Sequence, residues 1–328
     1  MTQGTVLDRS ILAVVPHADE TSSRKQGITA EVERFHRLHG TSLIDEATKI
    51  LKLSSAAPFA TACCIFHRFH HQVSIQEVDV WSSAMAATLL AIKVEEVAVS
   101  LRQIVVAFAH VFRRRQLVLV PDEDLSQVRQ HEHVIAPDVA KKPLQEKLRT
   151  LQETPPTSLS PMGPLWKEWH TVVVQTEAKI LRQLGFTLHW IPDHHPHKFL
   201  LYFLRVLQVD QQDLVQCAWN YCNDSCRLDL CLHSPPEQIA CATIHLAAME
   251  HRRNLPCSKG KAWWEIFCGP GHGPELSRVA NAILGLSRNR AELLAASHAF
   301  VKSLLPGEGS FNDPDSFVWE YSGVIPQP

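Results

Sequence analysis

From Ala84 to Val94, inside the stretch DVWSSAMAATLLAIKVEE, the chain carries only Ala, Met, Thr, Leu, Ile and Val apart from Lys93. A helix with no polar face is surrounded by other helices, and this one is too short to cross a membrane, which takes roughly 20 apolar residues. It reads as the central rod of a helical domain, surfacing where Lys93, Glu95 and Glu96 arrive together. Ser74 and Glu77 have the S-x-x-E form of a capping box, which predicts a start near residue 75.

Amphipathic runs surround the rod in sequence. Thr29 is positioned to cap a short helix that Gly40 would end, and core-facing stripes follow over Leu43–Leu53, Ala56–His70 and Leu101–Phe112. The last is expected to stop at Arg113-Arg114-Arg115, because cations suit a helix C-terminus. Residues 116–164 are rich in proline and scattered charge, and read as a mobile insertion with one short helix near Leu144–Leu151. Periodicity returns over Leu165–Leu184, and Gly185-Phe186 reads as a stop with a hydrophobic clasp.

A second set follows at Pro196–Leu207, Asp213–Arg227, Pro235–His251, a Trp-rich turn at Ala262–Cys268, and Pro274–Leu286. Ser234 and Glu237 give another S-x-x-E. With Leu246 placed under Leu90, Ala240, Ala242 and Ala247 fall under Ala84, Ala86 and Ala91. This predicts a duplicated helical domain, with the caps out of step by about a turn. The organisation expected is an irregular leader at 1–28, a first domain at 29–190, a second at 191–305 and a tail at 306–328, with Trp319 and Tyr321 packed back on the body.

The totals narrow the function. Lys and Arg number 32 against 34 Asp and Glu, so no global field favours nucleic acid or an anionic membrane. Nine cysteines, an odd number, and no basic-then-apolar leader point to free thiols in a reducing, intracellular compartment.

Candidate chemistry is sparse. His67 and His71 share a helix face, but the H-E-x-x-H of zinc peptidases is missing. His131/His133 and His194/His195/His197 read as a loop pair and a helix start. No C-x-x-C occurs, and Cys63, Cys64, Cys222 and Cys226 read as small buried hydrophobes. Glycine-rich phosphate loops are missing too. The expectation is therefore no catalytic residue, no metal and no cofactor. Lys93 and Glu177 remain as charges at helix surfaces.

LLAIKVEE is similar to the cyclin-box pattern in which an Ala-rich third helix ends in Leu-Ala-x-Lys-x-Glu-Glu, and QTEAKILRQLGF resembles the fifth-helix pattern with its Leu-Gly-Phe stop. Within the cyclins, TSSRKQGIT, GTSLIDEATKILKL, FATACCIFHRFHH, HPHKF, LVQCAWNYCNDSCRLDLC and PPEQIACATIHLAA resemble cyclin L segments in the same order. Trp263-Trp264-Glu265 is also similar to cyclins K and T. The resemblance implies an all-α fold of two tandem five-helix cyclin boxes, with the long insertion in the first. It implies a non-catalytic nuclear subunit that activates a cyclin-dependent kinase, PITSLRE-type or related, in RNA polymerase II transcription and pre-mRNA processing. It implies a heterodimer whose kinase-binding residues are Lys93, Glu96 and Glu177, with no nucleic acid bound directly and no membrane contact. Cyclin L often ends in an Arg-Ser-rich tail, which these 328 residues lack.

Two rivals belong to other classes. A cyclin-box general transcription factor bridging promoter DNA and polymerase would be expected to carry a zinc ribbon and a basic surface. An enzyme using the His or Cys clusters would need a general base that the sequence does not supply.

Overall fold

The computed structural model describes residues 21–53, 55–119, 164–257 and 261–286, with backbone alone for 113–119 and 164–165. Regular structure among the described residues is all helical. The expected insertion lies almost wholly outside them, as do residues 1–20, His131, His133, Trp319 and Tyr321.

Helical structure is present earlier than the composition suggests. Thr21 caps a single turn, α1 (Ser22–Lys25), inside the stretch expected to be irregular. Two serines anchor it: Ser22 Oγ donates to the Gln72 carbonyl at 2.6 Å, and Ser23 Oγ accepts from Ile75 N–H at 3.1 Å. Thr29 does cap the next helix, accepting from Val32 N–H, but α2 runs on over Ala30–Ile50.

Gly40 therefore does not end a helix. It is a packing notch against Phe66 of α3 (Ala57–Gln72): a Cβ at Gly40 would stand 2.2 Å from Phe66 Cζ, and Phe66 is fully buried. A methyl group there must displace the buried Phe66 ring or push α2 and α3 apart, at roughly 1–3 kcal/mol, set against the ~1 kcal/mol that alanine gains over glycine in helix propensity. Gly40→Ala is expected to lower the urea midpoint, and adding Phe66→Leu to recover part of the loss. Equal midpoints for wild type and Gly40→Ala would refute the notch.

The central rod, α4, spans Val80–Val94, and its cap is Asp79. Asp79 Oδ1 accepts from the N–H groups of Trp81 and Ser82, both at 2.9 Å. Ser74–Glu77, expected as the helix start, forms a turn closed by Glu77 N–H on the Ser74 carbonyl at 3.1 Å. Asp79 sits next to the first helical residue and so satisfies two of the orphan donors at the helix N-terminus, which Ser74 is too far back to reach. As its composition requires, α4 is buried almost all round. It packs on α2, α3, α5 (Leu101–Leu119) and α6 (Pro164–Gln183). Trp81, Phe112 and Trp169 run edge to face across α4, α5 and α6.

Two helix ends differ from expectation. The backbone of α5 continues through Arg113–Arg115 to Leu119, consistent with arginine being a good helix former. At the end of α6, Gly185 and Phe186 both turn left-handed, at φ 65° and 60°. Phe186 N–H bonds the Leu181 carbonyl at 2.8 Å, so the stop is real. The clasp is not: Phe186 is 68% exposed.

The second half comprises a 3-10 turn (Ile191–His194), α7 (Pro196–Val206), α8 (Gln212–Ser225), α9 (Leu230–His233), α10 (Pro236–Glu250), α11 (Glu265–Cys268) and α12, residues 273–286. Pro235 occupies the α10 cap position with no side-chain capping bond. Ser234, expected to cap, instead accepts from Arg278 NH2 at 3.1 Å.

The two halves repeat in strict register. α4 and α10 are displaced by 156 residues at both ends, 80 to 236 and 94 to 250. The same displacement relates Lys52 to Gln208, both at φ 54°, and Glu96 to Arg252, at 54° and 51°. Each closes its helix with one type of bond: Leu53 N–H to Thr48 O, Val209 to Leu204, Val97 to Ile92, and Arg253 to Ala248. The expected slip of a turn came from the misplaced start of α4.

Each half has its own core. Cys226 and Cys231 of the second lean on the first core. Beside them Arg227 reaches Asp45 Oδ2 at 2.9 Å with its guanidinium over the Phe59 ring.

Candidate functional site

The end of α4 is set by the backbone. Glu95 N–H returns to the Ala91 carbonyl and Val97 N–H to Ile92, which forces Glu96 into the left-handed region. A non-glycine residue pays roughly 1 kcal/mol there. Glu96→Gly is therefore expected to raise stability in chemical denaturation, by less than that amount because glycine also gains freedom in the unfolded chain. A loss instead would mean that the Glu96 side chain contributes contacts to the fold.

This turn separates three charges that arrive together in the sequence. Lys93 is 57% exposed on the last turn of α4, and its Nζ meets Glu177 Oε1 of α6 at 2.5 Å. Glu177 is far better covered, at 12%. Glu96 lies exposed on the left-handed residue, outside the pair. The structure thus brings Lys93 and Glu177 together across 84 residues and sets Glu96 beside them. Val174, one turn before Glu177, adds an apolar side chain that is 41% exposed.

Glu95 goes the other way. Its carboxylate accepts from Thr61 Oγ1 and faces His195 Nε2 at 3.4 Å, while Thr61 Oγ1 and His195 Nε2 lie 2.6 Å apart. The bond with His195, then that from Thr61, hold the Glu95 carboxyl below its usual range against the opposing effect of burial. Sequence reasoning grouped Glu95 with the surface charges. Its partner lies 100 residues away in the second half, and no local pattern announces that contact.

An exposed cation against a covered carboxylate adds little to the fold, about 0–1 kcal/mol. What it offers is a pre-positioned donor and acceptor: Lys93 can exchange its partner, and Glu177 is held by α6 where it can accept from another chain.

No protein-family model matches the chain. It is 30% identical over 272 residues to cyclin-L1-1 of Oryza sativa subsp. japonica, covering 83% of this chain and 53% of that protein. To human cyclin-L1 it is 31% identical over 248 residues, 75% and 39% of the two chains, and to mouse cyclin-L2 28% identical over 302 residues. The chain is similar to the cyclins, cyclin L among them, over most of its length. It spans about half the length or less of these curated relatives. The fold is also that of a chain in the crystal structure of the yeast RNA Pol II CTD kinase CTDK-1 complex, with a TM-score of 0.53 at 14% identity, covering 92% of this chain and 90% of that one.

The two halves are tandem cyclin boxes, and their matching helix ends differ in chemistry. Met249 stands in the second box where Lys93 stands in the first, and is 63% exposed. Its neighbour Glu250 is occupied by Tyr221 OH at 2.7 Å and Cys217 Sγ at 3.3 Å. The exchangeable Lys–Glu pair is thus a feature of the first box.

The described histidines of the other clusters are held by hydrogen bonds within the fold. His67 accepts at Nδ1 from Arg37, which has no acceptor to offer, so its proton is on Nε2 and points at the Cys226 carbonyl, 3.1 Å away. His70 Nε2 meets Ser83 Oγ at 2.9 Å, and His197 Nε2 meets Asn223 Oδ1 at 2.9 Å. His194 Nδ1 bonds the Trp190 carbonyl. Among the described residues no group of three His, Cys, Asp or Glu is placed to hold a metal ion. Nor is any helix among them long and apolar enough to cross a membrane.

Proposed function

We propose that the chain is a non-catalytic regulatory subunit that binds and activates a cyclin-dependent kinase through the end of α4, with Lys93, Glu96 and Glu177 as the binding residues. The observation that carries this reading is the Lys93–Glu177 pair, a weakly committed donor and acceptor fixed on two packed helices at the surface of the first box. Kinase activation needs a Lys–Glu pair inside the kinase to be assembled, and the helix carrying that Glu has two positions. A rigid external face that hydrogen-bonds main-chain groups beside that helix in only one position shifts the equilibrium toward it. Val174 supplies apolar area next to those bonds.

The likeness to cyclin L supports a nuclear role in RNA polymerase II transcription and pre-mRNA processing, with a PITSLRE-type or related transcriptional kinase as the partner. The fold shared with a chain of a polymerase CTD kinase complex supports the same class of partner. Affinity purification from the cell that makes the protein, followed by mass spectrometry, tests the reading. A cyclin-dependent kinase in near-equal amount is expected. Recovery of polymerase and promoter factors without a kinase would overturn it in favour of a general transcription factor.

A further inference from the structure

We propose that Cys241 and Cys268 form a thiol pair that a hydroperoxide converts to a disulfide, a reversible modification site in the second box. Their Sγ atoms lie 3.5 Å apart, against ~2.05 Å in a disulfide, so closure needs a movement of about 1.5 Å. Cys241 is fully buried on α10, whereas Cys268 is the half-buried last residue of α11.

The movement has a source. Gly269 and Gly271 follow Cys268 at φ 81° and 88°, and a Cβ at either would meet nothing within 4 Å. Open space therefore lies beside the turn that follows α11, which the Gly269 N–H ties back to the Glu265 carbonyl at 3.1 Å. The body of α11 is clamped, since Phe267 stacks on Phe203 of α7 at 3.9 Å and packs against Trp263. Cys268 can swing toward Cys241 while the turn that carries it stays seated.

The two thiols are unequal, as such chemistry requires. Hydrogen bonding to Cys241 lowers the pKa of Cys268 and raises that of Cys241, so Cys268 is the first to ionise. The Cys268 thiolate attacks the peroxide O–O bond; an S–O bond forms and hydroxide leaves, giving the sulfenic acid. Cys241 sulfur then attacks Cys268 Sγ, its proton passes to the departing oxygen, and water leaves as the S–S bond forms. Two thiols lose two electrons and two protons, and hydrogen peroxide becomes two waters. The product ties α11 to α10, the central helix of the second core, and a thiol reductant reverses it.

The test is a hydrogen peroxide titration of the full chain, then alkylation of the remaining thiols and peptide mass spectrometry. A Cys241–Cys268 cross-linked peptide is expected to rise at least tenfold over untreated protein and to vanish with dithiothreitol. Cys268→Ser should leave Cys241 reduced, and Cys241→Ser should drive Cys268 on to the sulfinic acid. Circular dichroism of both variants establishes that they fold. The proposal is overturned if wild-type Cys268 reaches the sulfinic acid while Cys241 still alkylates. It is equally overturned if Cys268 links to the exposed Cys257, or if Cys257 oxidises at doses that leave the pair untouched.

Discussion

Lowering the pH from 7.5 to 5 is expected to remove on the order of 6 kcal/mol of folding stability or more. Four histidines of the two boxes cause this. Burial, and then the charge of Arg37, hold His36 and His67 down to about 3 from an ordinary 6.5. Burial likewise pushes His70 well below that value, and His197 to about 4. The direction follows from which state binds the proton. The unfolded chain protonates these rings as the pH falls through about 6.5, and the folded chain does not until about 3 for His36 and His67 and about 4 for His197, with His70 also held well below the ordinary value. Their contribution is therefore complete above 6.5 and is lost on the way down, at roughly 1.4 kcal/mol per pH unit for each. By pH 5 that is about 2 kcal/mol for each of His36, His67 and His197, with His70 adding in the same direction, a large share of the roughly 5–15 kcal/mol of a typical fold. Urea midpoints at pH 7.5, 6.5, 5.5 and 5.0 measure it. His36→Phe removes one titrating ring whose Nδ1 has no hydrogen-bond partner among the described residues. It should flatten the profile by about a quarter, and midpoints independent of pH over this range would show that the rings already protonate in the fold.

Arg37→Met is expected to cost about 3–5 kcal/mol, the usual penalty for leaving one half of a buried ion pair behind. Arg37 gives Nε and NH2 to Glu33 Oε1 at 3.2 and 2.8 Å, and NH1 to the His67 carbonyl at 3.0 Å. Both side chains are 5% exposed or less. Glu33 also accepts from Thr21 Oγ1 and Arg24 Nε, so the network fastens α1 to α2, and through His67 it reaches Cys226 of the second box. Arg37→Met strands the carboxylate with only the Thr21 hydroxyl and the half-exposed Arg24. The double variant Glu33→Met/Arg37→Met removes the stranded charge and should be more stable than Arg37→Met alone, and chemical denaturation of the four proteins of the cycle gives the coupling. Strict additivity would mean that the pair is not acting as one.

What the sequence shows and what it hides follow the range of the physics. The all-round apolar run of α4 and the alanines it shares with α10 are properties of single helices, so the buried rods and the repeat were legible. The register of the repeat was not, because Ser74–Glu77 matches a capping box in form while Asp79, five residues on, makes the bonds. Gly40 reads as a stop because nothing nearby in sequence reveals Phe66 lying on it. Lys93, at the end of α4, and Glu177, on α6, read as helix-surface charges, and only the resemblance to the family pattern made a pair of them. The inward turn of Glu95 depends on Thr61 and His195, which only the assembled boxes bring together. The histidines look like metal or loop chemistry in one dimension. In three, His36 lies against Phe66 and His70 inside a core.

The most direct test of the account is the affinity of Lys93→Ala/Glu177→Ala for the co-purifying kinase, measured beside wild type by calorimetry. The exposed pair adds at most about 1 kcal/mol to the fold, so helical circular dichroism and the urea midpoint should stay nearly unchanged. Two central interface residues lost together are worth about 2 kcal/mol or more each, so binding should weaken by a hundredfold or more and kinase activation should disappear. Binding at wild-type affinity by the folded double variant would contradict the assignment of this face.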